Sequence, residues 1–434
     1  MEASLNLGNG NWAIKEDSLL SYGDENGNFR PLPLDFTRAS SATVTNKLGL
    51  IETVDSGISR IDFQGTADGT LLLEPQRTNL IQYSEDFSDA SWTKTGLNVA
   101  SGYTSPNGDM TAFKLIEDTS FGKHRINLAT QVLTANTYSG SFFAKKSERD
   151  VVQIFTNGLF DVNAYANFDL ANGVVSVSVS TTAKIELLSD GWYRCSYIFM
   201  GTTADAPPMY IHIVTSTTSA KSEDYKGDGT SGVYIYGAQL EAGSYATSYI
   251  PTDGGTVTRV AEVCNGAGNA STFNSTEGVL FLEMAALSDD DIIKRSISIS
   301  NGSTSDRILI RYSGTSLLAY CIEEGNTRAF ITTTSYTLTE TLKLAFKYKL
   351  NDFALWVNGN EVGNDTAGAT PIGLNALNFN DGDGTKPFYG KTKQVQVFKT
   401  ALTDNQLILL TGESGTNFFE SYTEMASVLT YTIQ

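Results

Sequence analysis

Apolar side chains along this chain recur at every second position, the spacing of half-buried strands, and almost nowhere at helical spacing. Ala164-Tyr165-Ala166-Asn167-Phe168-Asp169-Leu170 alternates in this way, and Asn172-Gly173 reads as the φ > 0 pair of a tight turn. Val175-Ser176-Val177-Ser178-Val179-Ser180 returns with the same period. A one-residue slip would turn every valine to water, so this hairpin's register is well specified. The runs 137–146 and 210–214 read as further strands, at the spacing of a sandwich or jelly roll.

A second β-region spans 277–412. Its clearest strand is 342–350, with Leu, Leu, Phe, Tyr and Leu on one face and Lys343, Lys347 and Lys349 on the other. Phe353–Val357 pairs with it, and Asn358-Gly359 marks the next hairpin. One short helix is expected, capped by Thr403 with Gln406 as its capping-box partner and ended by Gly412. The pattern predicts an all-β protein: an N-terminal arm (1–34) that gains order from partners, a small β module (35–79), a jelly-roll sandwich (80–251), a linker (252–276) and a second sandwich (277–412). A tail (413–434) carries the apolar strand Ser427–Ile433, which has no partner left in its own domain and is expected to pair with another subunit.

The stretch from Lys226 to Thr252 closes the jelly roll. Val233 and Ile235 alternate with Tyr234 and Tyr236, so both faces of this strand are expected to be buried, and the exit through Tyr245, Tyr249 and Pro251 is expected to be a packed joint that fixes the angle between the two sandwiches.

Composition sharpens the picture by exclusion. The 434 residues are too many for one core. Only 18% are charged, with Ser, Thr, Asn and Gly filling exposed sheet positions. A net charge of −18 argues against nucleic acid and anionic membrane. The three cysteines, Cys195, Cys264 and Cys321, form no CxxC and suggest buried thiols. The N-terminus lacks a basic segment followed by an apolar run, and no apolar run is long enough for a membrane helix, so a soluble cytoplasmic product is expected.

The chemistry-bearing motifs are few. There are two histidines, His124 and His212, no G-x-S-x-G and no HExxH, so no catalytic role is assigned and no cofactor is called for. Asp381-Gly382-Asp383-Gly384 opens like a calcium loop but places Thr385 at position five and Thr392 at position twelve. It and Lys226-Gly227-Asp228-Gly229 read better as turns. Trp92, Trp192 and Trp356 are the candidates for an aromatic sugar platform, weighed against packing in a core or interface.

Three ordered segments resemble the virion fibre proteins of tailed bacteriophages that carry a head spike fibre domain. They are Phe36–Thr43 with Gly49-Leu50-Ile51; Leu71–Leu80 followed by Tyr83–Phe87 and Trp92; and Gly227–Gly232 through Gly237–Glu241 to Ser248–Thr252 and Val257-Thr258-Arg259. Between the second and third, Tyr138–Phe142 and Gly191–Arg194 resemble strands of carbohydrate-binding jelly rolls. That resemblance would make Glu85 and Glu241 ligands of a structural calcium, although Ala238-Gln239 replace the usual acidic pair. Residues 277–412 resemble concanavalin-A-like, laminin-G-type sandwiches through Glu277–Leu280, Trp356–Gly359 and Ala401–Asp404.

These resemblances imply a non-enzymatic head or tail fibre on the virion surface, made in the bacterial cytoplasm. It would be a homo-oligomer, expected as a trimer, with arm 1–34 bound to capsid or tail proteins and the sandwiches offered to host glycans. A glycan-degrading enzyme with a binding module and a ligand-free capsid decoration protein are the alternatives.

Overall fold

The computed structural model describes residues 2–25, 28–128, 136–156, 163–200, 208–289 and 295–412. The protein is nearly all β, with a single α-helix among the described residues, Asp404–Thr411. It forms two compact units, and one is inserted into the other: unit 1 comprises residues 1–39, 56–75 and 261–434, and unit 2 comprises 40–55 and 76–260.

Unit 1 is a β-sandwich that contains the second sandwich expected at 277–412. One layer runs through strands Thr70–Leu73, Gly390–Phe398, Glu277–Ala286, Leu342–Lys349, Phe353–Val357 and Asn360–Asp365, each pairing antiparallel with the next. The facing layer runs from Ser18–Glu25 through Asn28–Thr37, Val263–Ala267, Ala376–Asn378, Arg295–Ser300, Arg307–Ser313 and Ser316–Glu323 to Asn326–Thr333. A core including Leu282, Leu344, Leu355, Ile297, Ile310 and Ala319 fills the space between them. Asn358 and Gly359 both have positive φ and join strands in the expected two-residue hairpin. Thr403 and Gln406 form the capping box of the helix, which covers the outer face of the first layer over Val279, Phe281, Ala345 and Trp356.

The segment read as an arm belongs to this core. Leu5–Gly8 pairs with Gln394–Val397, and Asp35–Thr37 pairs with Val263–Asn265. Leu5, Leu7, Leu19, Leu34 and Phe36 are buried. The small module dissolves likewise, its residues 40–55 going to unit 2 and 56–75 to unit 1, while strand Val263–Ala267 of the expected linker lies inside the unit 1 sheet. Pairings between segments so far apart along the chain leave no trace in local periodicity. The expected tail strand, 413–434, lies outside the described residues.

Unit 2 is the jelly roll, built from two six-stranded sheets. The first has the spatial order Trp92–Thr95, Arg125–Leu128, Met209–Ile213, Val151–Thr156, Tyr165–Asp169, Val174–Val179. The second has Leu97–Tyr103, Ala112–Glu117, Gly232–Ala242, Thr137–Lys146, Trp192–Met200, Thr182–Leu187. Ile126, Ile211, Ile154 and Phe168 of the first sheet meet Leu115, Phe142, Tyr197 and Ile235 of the second. The hairpin at Asn172-Gly173 is wider than expected, with Gly173 at φ 67 and Asn172 outside the positive-φ residues. The Asp169 carboxylate accepts from the backbone N–H of Ala171 and Asn172 and from the Asn172 amide, which holds Asn172 in an ordinary conformation.

Strand Gly232–Ala242 is buried on both faces as expected, with Val233 and Ile235 in the inter-sheet core and Tyr236 on the opposite side. Its register shifts against Ser141–Phe143 at a bulge where Gly237 takes φ 55, so the next core residues are Ala238 and Leu240. A Cβ at Gly237 would meet the rings of Phe143 and Tyr249 at 2.9 and 3.0 Å. Tyr245 and Tyr249 are buried, so the exit is packed against unit 2 itself.

Candidate functional site

The chain passes between the units after Ala39, Asp55, Pro75 and Val260. Close to those four points lie Arg38, Arg60, Glu74 and Glu262, all buried in unit 1. Arg38 Nη1 donates to Glu262 Oε1 at 2.7 Å, while Arg60 donates to both oxygens of Glu262 and pairs with Glu74 at 2.8 Å. Burial opposes the Arg60 charge, but Glu262 and then Glu74 outweigh it and raise its pKa above the ordinary guanidinium value. Two cations thus meet two carboxylates. In unit 2 the buried Asn79 amide binds the carbonyls of Ala238 and Ile250 and accepts from the N–H of Ile81 and Leu240. Thr43 Oγ1 donates to the Tyr249 carbonyl at 2.6 Å. The segments that carried the fibre-protein resemblance thus supply Arg38 and Glu74 to a buried network within unit 1, and Thr43 and Asn79 to hydrogen bonds within unit 2.

The tryptophans are equally structural. Trp92 and Trp192 are each 1% exposed and Trp356 is 5% exposed. Trp92 donates Nε1 to the Tyr83 carbonyl in the jelly-roll core, Trp192 packs with Phe143 and Tyr236, and Trp356 lies under the helix. None presents a ring to a ligand, because each falls on a sheet face that the fold covers. Glu85 and Glu241 are engaged by other groups. Glu85 accepts from the hydroxyls of Tyr236 and Tyr249, and Glu241 accepts from Thr247 N–H, Thr247 Oγ1 and Gln239 Nε2. No group of three or more His, Cys, Asp or Glu side chains suited to a metal occurs among the described residues. Asp228 and Asp383 cap their own turns, accepting from Thr230 and Ser231 and from Thr385 respectively. All three cysteines are free and buried.

Among the described residues the two outer faces of unit 2 differ in what they carry. The outer face of the second sheet carries Ala112, Phe143, Trp192 and Tyr236, and Tyr249 and Ile51 of the hairpin Ala42–Val54 pack onto it. The outer face of the first sheet is composed differently. Opposite the core isoleucines stand Arg125 and Asn127, Tyr210 and His212, and Gln153 and Phe155 on adjacent strands. Registration lines them into two rows, Asn127–Tyr210–Phe155–Tyr165 and Arg125–His212–Gln153–Asn167.

The loop 215–224 folds over the second row. Gln153 Nε2 donates to the Ala220 carbonyl, Asn167 Nδ2 donates to the carbonyls of Thr217 and Ser219, and Gln153 Oε1 accepts from Ser222 N–H. His212 lies beneath it with Nε2 accepting from His124 N–H at 3.4 Å. Burial, helped by the nearby Arg125 charge, pushes the His212 pKa down to about 3, so the ring is neutral.

The first row is different. The rings of Phe155 and Tyr210 stack at 4.7 Å, Arg125 lies 4.3 Å over Tyr210, and Lys221 lies 5.2 Å over Phe155. Arg125 Nη1 reaches Ser222 Oγ at 3.3 Å while its Nε has no hydrogen-bond partner, and Arg125 forms no ion pair among the described residues. Arg125, Asn127 and Tyr165 are half-buried. Phe155 is fully buried and Tyr210 is 9% exposed, so the rings form the floor of a shelf whose accessible groups are the guanidinium, amide and phenol of Arg125, Asn127 and Tyr165, able to donate hydrogen bonds to a polar ligand. The sequence signal was present in Arg125-x-Asn127, Gln153-x-Phe155 and Tyr210-x-His212, each alternating polar or aromatic residues with core residues. Only strand pairing shows that the three coincide.

No family model matches the chain, and no curated protein matches it. Solved structures of similar architecture include the CBM40 domain of a Ruminococcus gnavus IT-sialidase, 17% identical over 34% of this chain and 94% of that one, with a TM-score of 0.29. They also include domains LG4-5 of the mouse laminin alpha1 chain, 12% identical over 75% of this chain and 94% of that one, with a TM-score of 0.22. Trypanosoma rangeli sialidase is 10% identical over 92% of this chain and 82% of that one, with a TM-score of 0.26. Likenesses this loose carry no reading of function.

Proposed function

We propose that this protein is a non-enzymatic structural component of a phage virion, a head or tail fibre whose jelly roll attaches to glycans on the host surface. The observation that carries the glycan reading is the cluster of half-buried Arg125, Asn127 and Tyr165 set around the buried Tyr210–Phe155 pair on the outer face of the first sheet of unit 2. Sugars present hydroxyls to amide and guanidinium donors and C–H faces to rings, and such sites are held on rigid strands with few polar groups. The ordered segments around Arg38, Glu74 and Arg259 support the virion reading. In this reading the chain assembles with capsid or tail proteins and with further copies of itself as a trimer.

Screening the full chain against bacterial surface polysaccharides, beside Arg125→Ala, tests the attachment role. Binding by the parent chain that falls at least tenfold in Arg125→Ala is expected. Undiminished binding by the variant removes the shelf from the proposal. New reducing ends released from a polysaccharide would favour the glycan-degrading alternative. A monomeric mass both free and within particles would remove the trimer.

A further inference from the structure

Unit 1 carries a second arginine cluster, on the outer face of its second layer. Ile308, Ile310 and Tyr312 point into the core, so Arg307, Leu309 and Arg311 point outward. Asp381, from the acidic-glycine turn, is buried against both arginines. Arg311 donates Nη2 to Asp381 Oδ1 and Nε to Ser296 Oγ at 3.0 Å, and Lys386 Nζ donates to Asp381 Oδ2 at 2.6 Å. Arg307 Nη2 stands 3.7 Å from the same Oδ2.

Three cations therefore share this one buried carboxylate, which Arg311 and Lys386 already occupy. Arg307 is only 7% exposed, yet its Nε and Nη1 have no hydrogen-bond partner. Burial and the neighbouring Arg311 charge lower its pKa against the pull of Asp381, and Asp383, whose carboxylate serves Thr385, adds a weaker attraction. Ser298, fully buried on the adjacent strand opposite Leu309, also has a hydroxyl without a partner. One step along the same row, Tyr320 lies under Arg311 at 5.2 Å and its ring packs, tilted, 4.8 Å from Phe330, which is 45% exposed.

A guanidinium held out of water with idle N–H groups is costly unless something accepts from them. Its planar fork matches a carboxylate or sulfate group. We infer that Arg307, with Arg311, Lys386 and Ser298 around it, forms an oxyanion-binding site for a carboxylate or sulfate group, and that Phe330 offers a ring to the sugar carrying it. This site is independent of the Arg125 shelf and does not rest on the glycan reading of unit 2.

Thermal unfolding of the full chain tests it, with sulfate compared against chloride at equal ionic strength, and with glucuronate and glucose 6-sulfate compared against glucose. The oxyanions are expected to raise the melting temperature of the parent chain but not of Arg307→Met beyond the general effect of the salt, and glucose is expected to do nothing. Without anion, Arg307→Met is expected to melt higher than the parent. An equal response of the two proteins overturns the site. So does a variant that melts lower in a background where the parent shows no response to anions. If Arg307→Met does not fold, calorimetric titration of the parent with sulfate decides, and absence of binding overturns the inference. A greater effect of glucose 6-sulfate than of sulfate, reduced in Phe330→Ala, supports a sugar-borne group. Equal effects support the site with a free ion as its ligand.

Discussion

Two arginine clusters in unit 1 use the same chemistry to opposite ends. At Arg38, Arg60, Glu74 and Glu262, two guanidiniums meet two carboxylates, and Glu262 accepts from both arginines and from the Glu74 N–H. At Arg307, Arg311 and Lys386, three cations meet Asp381, and two nitrogens of a buried arginine are idle. A balanced buried network completes the fold by itself. A lopsided one leaves buried donors without an acceptor of their own. The difference between structural and binding arginines lies in the completeness of their hydrogen bonding, since both are buried.

Removing one partner from each cluster should give opposite signs. Glu262→Gln leaves two buried guanidiniums short of charge, and denaturant unfolding should show a loss of about 3–5 kcal/mol. Replacing buried ions by apolar groups is often neutral or stabilising, so Arg307→Met should gain on the order of 1 kcal/mol in the absence of anion. A loss comparable to that of Glu262→Gln would erase the contrast. Glu74→Gln should cost less than Glu262→Gln, about 2 kcal/mol, because Arg60 keeps Glu262 as its partner. This ranking checks that completeness, rather than burial alone, sets the penalty.

A titration in unit 2 provides the reference for acid sensitivity. The His212 pKa lies near 3 when folded, below the ordinary value of 6.5, so between those values the unfolded chain binds a proton that the native chain does not. Stability therefore falls as pH drops from 6.5 toward 3, by up to about 1.4 kcal/mol per pH unit from this group. His212→Phe should flatten that slope in chemical denaturation across pH 4 to 6.5. An unchanged slope would assign the acid loss to carboxylate networks instead.

The tryptophan candidates show why side-chain type misleads about sites. Large aromatic rings are the most rewarding to bury, so Trp92, Trp192 and Trp356 went to covered faces. Phe155 and Tyr210 went the same way, and the groups left accessible beside them are Arg125, Asn127 and Tyr165, whose short strands looked unremarkable singly. Likewise Asp381-Gly382-Asp383-Gly384 drew attention as a failed calcium loop, while the consequence of Asp381 came from the arginines it meets across the sheet.

The sequence by itself determined the all-β class, the individual strands, the Asn358-Gly359 hairpin, the capped helix and the double-sided burial of Val233–Tyr236. All of these depend on period-two alternation or on the conformational limits of residues close together in the chain. Tertiary structure alone decided that residues 5–37 complete the C-terminal sandwich, that the jelly roll is inserted within it, and that Arg38 meets Glu262 across 224 positions. Such pairings are selected by the burial of whole sheet faces and the mutual satisfaction of charges. Their free energy exists only once distant strands have met.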